Sequence, residues 1–382
     1  MSLTNQLTPP QLPPHCPGIS TDGLSLRKNR DYMTEMPPDI NTRDAILNLF
    51  DAWVKKPDIA EPLATVRAIL NTMRILPRSE ERLCVMNTFV RTLGQPELFA
   101  TFLDMIRYSS LKGNTSEKSL SEISRKSSKH AVYGWCGQTR LSLSGTEPTS
   151  GTTQPEPGVQ AFLGKTPTSA WSLSMHIWQP NPKAKGFVCG HRDLPGIIAE
   201  PPHSHPFDFA SMVVTGQMHQ SIYTQHDTSY DLNNNKFPTG KGRYHNIDLD
   251  HVHGVWPPHD IQEKSKLRTL EERVELNAGD SYYMSGDMLH DVQINSAIAQ
   301  HQPAITLFLR AESFIKPHVY MAASMAEFHT ANPELKTQGY PLAENDWYQK
   351  LEVVADYVRG KNTTLNLADI VRYDNDYAFF HT

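Results

Sequence analysis

Apolar positions along the chain change their period twice: helical spacing up to Ile106, alternation from Trp171 to Arg310, and helical spacing again after Met321. Steps of three and four residues place side chains on one stripe of a helix, and steps of two place them on one face of a strand. Ile46, Leu49, Phe50, Trp53 and Val54 predict a first helix, capped by Asn41 and closed by Pro57. Val66, Ile69, Leu70 and Met73 predict a second, ending before Pro77. A third runs from a Ser79 cap through Leu83, Met86, Val90 and Leu93 to Gly94, and Pro96 opens a fourth that carries Phe99, Phe102, Leu103 and Ile106. Four helices in series suggest a bundle whose apolar stripes are packing surfaces. Asn114–Lys129 turns to serine with interspersed charge and Ser142–Gly158 is rich in Ser, Thr, Gly and Pro, so both read as loops, the second being the better linker. His130–Leu143, between them, reads as a strand pair that already belongs to the β region.

Trp171, Leu173, Met175 and Ile177 alternate with Ser172, Ser174, His176 and Trp178, the pattern of a half-buried strand. Phe187–Cys189, Ile197–Glu200, Phe209–Thr215 and Gln217–Thr224 follow as short strands, with Val274 and Leu276 in another. Ile305, Leu307 and Leu309 alternate with Thr306, Phe308 and Arg310 in a late core strand. Many short strands divided by turn residues predict a sandwich or barrel. The polar stretch Asp227–Lys241 reads as an exposed insert. Trp347, Leu351, Val354 and Val358 form one helical stripe ending at Gly360, docked on the outside of the barrel. The expected division is a proline-rich arm (1–40), an α-helical region (41–128), a linker with loops (129–164), a β-barrel (165–318) and a C-terminal helical extension (319–382), whose aromatic last twenty residues pack on the body.

Composition narrows the function classes. The 382 residues are 38% hydrophobic and 20% charged with a net charge of −5, ordinary for a soluble globular protein and without the basic stripe of a nucleic-acid surface. Cys16, Cys84, Cys136 and Cys189 are scattered without a Cys-x-x-Cys spacing, which argues against a zinc knuckle or disulfide framework and for reduced thiols in the cytoplasm. Met1–Gly18 lacks the cationic start and apolar core of a signal peptide, and no run is long enough to span a bilayer. The expectation is a cytoplasmic protein with neither nucleic-acid nor membrane partners.

Chemistry concentrates in Glu200-Pro-Pro-His-Ser-His-Pro-Phe-Asp208. His203 and His205, two apart on an extended segment, share a face and can reach one ion. About seventy residues on, Gly279-Asp-Ser-Tyr-Tyr-Met-Ser-Gly286 followed by His290 reads as turn, strand, turn and returning strand, bringing a third imidazole to the first two. These two stretches resemble the signature motifs of the cupin superfamily over roughly residues 165 to 315. The resemblance implies a mainly β fold: an RmlC-like jelly roll, or double-stranded β-helix, here with an N-terminal helical region and a C-terminal helix.

Departures from the family pattern shape the expected site. Phe209 and Ala210 stand where the family places a glutamate, Met284 or Ser285 stands where it places a proline, and one extra residue separates Gly286 from His290. What is left is a neutral set of His203, His205 and His290, similar to the cysteine dioxygenase branch. Such a set suits Fe(II) with substrate and O2, and also accepts Zn, Ni, Co or Mn. Asp208 is read as the one nearby carboxylate: it orients a histidine, or, if Pro206 resets the register, serves as a fourth ligand or a base. With zinc, Asp208 or His219 would be the base for hydrolysis.

One of Tyr282 and Tyr283 should face the cavity and donate a hydrogen bond to bound oxygen; Arg310 would hold a substrate carboxylate if its face lines the barrel, with His219 and Tyr223 on the substrate side. The leading reading is a non-haem Fe(II) dioxygenase acting on a small polar organic molecule. A second reading is a 2-oxoglutarate oxygenase built on His191-Arg-Asp193, with Arg310 and Ser313 for the co-substrate. A third is a cupin that binds a ligand or a protein without turnover. His251-Val-His253 reads as a solvated edge pair or a contributor of outer contacts, and the resemblance suggests a homodimer joined through sheet edges.

Overall fold

The computed structural model describes residues 61–127, 129–130, 138–145, 171–179, 197–225, 243–248, 259–313, 318–321, 340–341 and 344–365, with isolated positions between 48 and 56. The proline-rich arm, most of the first expected helix, the Phe187–Cys189 strand, the Asp227–Lys241 insert, His191, Asp193, His251, His253 and the aromatic C-terminal stretch lie outside the described residues.

The helices α1 (Pro62–Met73), α2 (Glu80–Leu93) and α3 (Pro96–Lys112) lie where the apolar stripes place them. The Ser79 hydroxyl accepts the Arg82 N–H at 3.2 Å, with Glu80 and Glu81 in the first turn of α2, where the helix dipole favours negative charge. The serine-rich stretch expected as a loop is instead a helix, α4 (Thr115–Ser127). Asn114 caps it by accepting the Glu117 N–H at 2.9 Å. Glu117, fully buried, in turn accepts the N–H groups of Leu63 (3.2 Å) and Ala64 (2.8 Å), so α4 caps the start of α1, where no cap from its own chain segment exists. Buried Ser121 and Ser124 make close packing surfaces that hydropathy alone hides.

The strands are β1 (Lys129–His130), β2 (Gln138–Gly145), β3 (Ser172–Trp178), β4 (Ile197–Ala199), β5 (Phe207–Thr215), β6 (Gln217–Gln225), β7 (Arg243–Asp248), β8 (His259–Asn277), β9 (Ser281–Met284), β10 (Leu289–His290) and β11 (Gln293–Asn295). A short helix α5 (Ser296–Ala299), β12 (Ala304–Ser313), β13 (His318–Met321), β14 (Tyr340–Pro341) and α6 (Glu344–Val358) complete the described chain. Two antiparallel sheets result, β14-β1-β2-β3-β12-β5-β9 and β13-β7-β8-β6-β11-β4, with β10 also paired to β6. Strand β1 pairs with β2 and β2 along β3, so the first sheet takes in described residues ahead of 165. The chain changes sheets at Gly216, whose φ of +80° and 2.7 Å approach of a hypothetical Cβ to Ala304 Cα leave room for glycine alone.

Alternation along the strands sorts side chains into two cores. Inward residues such as Phe209, Val213 and Phe308 meet Met218, Ile222 and Ile294 of the opposite sheet. Outward residues of the first sheet, among them Met175, Met212 and Leu307, join Leu83, Phe89, Phe99 and Leu103 of the helices and Trp347 and Leu351 of α6 in one cluster. Fully burying each large apolar side chain contributes roughly 1.5–3 kcal/mol, so helices and sheet share a core and the helical region is a layer on the sheet, not a separate bundle. Among the described residues, no helix is long and apolar enough to cross a membrane.

One side chain opposes this packing. Lys350 of α6 is fully buried, its Nζ makes no hydrogen bond among the described residues, and burial pushes it down from 10.5 to about 8 against the pull of Asp346. Below pH 8 the amine is charged in both states and the cost of burying it is fully present. Between 8 and 10.5 the folded state binds fewer protons than the unfolded, so stability rises with pH. Lys350→Met is therefore expected to stabilise by about 3 kcal/mol at pH 7, with the gain vanishing above pH 10.5, in urea unfolding run at both pH values. A gain that does not depend on pH would contradict the assignment.

Candidate metal centre

The segment leading into β5 lies antiparallel to β10. His203 N–H donates to His290 O at 2.8 Å and His290 N–H to His203 O at 2.9 Å, a cross-strand pair that sets the two rings side by side. His205, two residues on, points the same way, and its N–H donates to Gly286 O at 3.2 Å. A Cβ on Gly286 would come within 2.8 Å of the His205 and Phe207 carbonyl oxygens, so this turn needs a glycine for close approach.

Ring centroids of the three histidines are 4.6–5.1 Å apart, and one nitrogen from each lies within 4.8 Å of the other two. His205 Nε2 and His290 Nε2 are 2.9 Å apart. Two nitrogens at right angles about an ion, each about 2.1 Å from it, would be about 3.0 Å apart. His203 Nδ1 lies 2.9 Å from Pro201 O; a carbonyl only accepts, so Nδ1 carries the proton and the Nε2 lone pair is free. Burial holds His205 and His290 well below the ordinary imidazole range, and holds His203 below it against its Pro201 hydrogen bond. All three are thus neutral donors near pH 7, which fits a divalent ion.

Aromatic rings enclose them. Phe207, Phe209 and Phe308 surround His205, at 5.2, 4.7 and 6.0 Å between ring centroids, and His176 stacks on Phe308 at 4.7 Å. The Thr306, Phe308, Arg310 face does line the space between the sheets: Thr306 Oγ1 accepts Trp178 Nε1–H at 3.2 Å, and the Arg310 guanidinium lies 5.2 Å from the Phe207 ring centre, with its charge felt at His205. Tyr282 also points inward. Its hydroxyl accepts Gln220 Nε2–H at 2.6 Å, and burial pushes the phenol up to about 12, so it keeps its proton.

Other expected site residues face elsewhere. Asp208 follows strand alternation, and Pro206 does not reset it. Its carboxylate receives Arg78 (2.9 and 3.2 Å), Arg82 (3.2 Å), Ser285 Oγ (3.2 Å) and Gly286 N–H (3.1 Å), so it neither orients a histidine nor stands as ligand or base. Tyr283 turns to the helix side, with its hydroxyl 3.9 Å from Cys84 Sγ. His219 and Tyr223 share the outer face of β6, because Met218, Gln220 and Ile222 take the inner one. Tyr223 donates instead to Asp291 Oδ2 at 2.6 Å and packs against Leu267, Leu289 and Tyr320.

Two carboxylates escaped the sequence reading. Asp291, fully buried, accepts Ser221 N–H (2.7 Å), Tyr223 O–H (2.6 Å) and the Gln293 amide (3.0 and 3.1 Å), and so fastens the end of β10 to β6. Glu200 Oε2 lies 3.9 Å from His203 Nε2, and burial first, then Asp291, pushes Glu200 up to about 8. Spacing does carry a signal for Glu200, three residues before His203, but the Pro201-Pro202 pair between them hides which way it points.

No protein-family model matches the chain, and no curated protein does. Similar solved structures are cupin-fold proteins. Hydroquinone 1,2-dioxygenase bound to Cd2+ and 4-hydroxybenzonitrile is 11% identical, with 37% of this chain and 56% of that one covered, at a TM-score of 0.19. A tryptophan-to-tyrosine variant of Bacillus subtilis oxalate decarboxylase is 11% identical over 52% of this chain and 30% of that one, TM-score 0.21. Cellulomonas parahominis L-ribose isomerase without ligand is 15% identical over 52% and 73%, TM-score 0.24. The chain spans about half or less of the length of the first two, and superpositions this loose carry no argument about family or activity.

Proposed function

We propose that the chain is a metal-dependent enzyme of the cupin type in which His203, His205 and His290 hold Fe(II), and that it oxidises a small polar molecule with O2. The observation that carries the reading is the convergence of three buried, neutral imidazoles from two distant segments, with ligand nitrogens within 4.8 Å of one another. Bound there, Fe(II) would offer open positions at which substrate and O2 can meet. Arg310, on the inward face of β12, pairs with a carboxylate or other anion of the substrate. Tyr282, protonated and oriented by Gln220, donates a hydrogen bond into the site. Phe207, Phe209 and Phe308 exclude water and leave an apolar wall for the rest of the substrate.

Oxygen uptake by the Fe(II)-loaded protein, screened against small organic acids, thiols and amino acids, tests the reading. Uptake that depends on one of these compounds, is lost in His290→Ala and is weakened mainly through KM in Arg310→Met is the expected result. Uptake unchanged in His290→Ala would overturn it.

A further inference from the structure

We infer that a closed ring of strands behind the metal centre sets its geometry, and that Asp291 and Tyr223, inside that ring, are positioning residues for His290. The inference rests on the three histidines holding a metal. Pairing runs from β6 to β8, from β8 to β7, from β7 to β13, and from β6 also to β10. The segment ahead of β5 closes the circle. His203 bridges both His290 of β10 and Val319 of β13, and Tyr320 N–H donates to Pro202 O at 2.8 Å. Two members of the ring, this segment and β10, therefore carry the ligands His203 and His290.

Buried side chains fill the ring. Tyr223 of β6, Leu267 of β8, Leu289 of β10 and Tyr320 of β13 form one cluster. Strand β13 is not paired with β6, β8 or β10, so Tyr320 meets the other three across the ring. Alternation turns Leu289 and Asp291 to this interior, and the His290 imidazole between them to the opposite face, where His203 and His205 stand.

Strand β10 is only two residues long, so its own ladder is a weak support for a ligand. The ring interior supplies what the ladder lacks. Asp291, fully buried, accepts Tyr223 O–H at 2.6 Å and Ser221 N–H at 2.7 Å, and its own N–H donates to Ser221 O at 3.1 Å. Hydrogen bonds to a carboxylate are the strong, directional ones. On the other side of His290, Leu289 pairs directly with Tyr223. Both chain neighbours of the ligand are thus tied to β6, and Tyr223 takes part in both ties. Groups that hold a ligand from behind tune how well it binds an ion, which gives these two residues an effect on the metal beyond their effect on the fold.

Titration of the metal-free protein with Co(II), followed by visible absorption, tests this in the parent, Tyr223→Phe, Asp291→Asn, Leu267→Ala and His205→Ala. Tyr223→Phe keeps the ring and removes one hydroxyl; it and Asp291→Asn are each expected to lose on the order of tenfold in affinity and to shift the absorption envelope. Leu267→Ala hollows the same interior without touching either tie, so it should lower the urea midpoint of the metal-free protein and keep the parent spectrum. Parent affinity and spectrum in Tyr223→Phe or in Asp291→Asn would overturn the assignment of that residue, and in both would overturn the inference. A spectral shift of the same size in Leu267→Ala would overturn it too, by reducing the effect to general loosening. If Asp291→Asn does not fold, Tyr223→Phe alone decides. A parent protein that binds no Co(II), or an unchanged His205→Ala, would instead overturn the three-histidine reading itself.

Discussion

Arg82→Met is expected to destabilise the metal-free protein by about 3–5 kcal/mol, the cost of breaking a buried ion pair from one side. Arg82 is 2% exposed, as is Asp208, and it bridges Asp208 (3.2 Å) to Glu312 (2.6 Å), whose other oxygen accepts the Trp171 indole N–H. Removing the guanidinium leaves Asp208 to Arg78, 45% exposed and screened by solvent. The effect extends to the histidines, because Asp208 holds Gly286 N–H and Gly286 O holds His205 N–H. Urea unfolding measures it, and a loss below about 1 kcal/mol would mean that the network is dispensable. Replacing Arg82 and Asp208 together by apolar residues should cost less than the sum of the two single changes, since no buried charge is then stranded.

Co(II) at a hundredfold excess over its Kd is expected to stabilise the folded protein by about 2.7 kcal/mol, and EDTA to reverse the gain. In His290→Ala the gain should vanish, because two imidazoles hold an ion far less well than three. His290→Ala retains the backbone pair with His203 but loses a buried ring, so its metal-free stability should fall somewhat while the fold is kept. Thermal unfolding with and without Co(II) checks both statements. A metal-dependent rise that survives in His290→Ala would place the ion elsewhere.

Much of this arrangement is legible in the pattern of the chain. The period-two run from Trp171 and the strand from Ile305 specify which faces turn inward, and Phe308 and Arg310 follow that rule. The histidine pair and the glycine-bounded return to His290 likewise mark the three rings that converge. Hydropathy fails where burial is polar. Helix α4 packs through Ser121, Ser124 and Glu117, whose partners Leu63 and Ala64 lie more than fifty residues away. Asp208 illustrates the same limit: its acidic side chain beside two histidines suggests a role in the site, and only the three-dimensional placement of Arg78 and Arg82 against the back of β5 redirects it. Strand alternation also excludes His219 and Tyr223, but it requires knowing that Gln220 is the inward residue. Glu200 was hidden by the reverse difficulty, since two prolines interrupt the alternation that would have assigned its face.

Elemental analysis of protein purified without oxygen, beside its His203→Ala/His205→Ala variant, decides whether His203, His205 and His290 hold a metal ion. Close to one equivalent of iron in the parent and none in the variant is the expected result. Equal metal in the two proteins, or none in either, would contradict it.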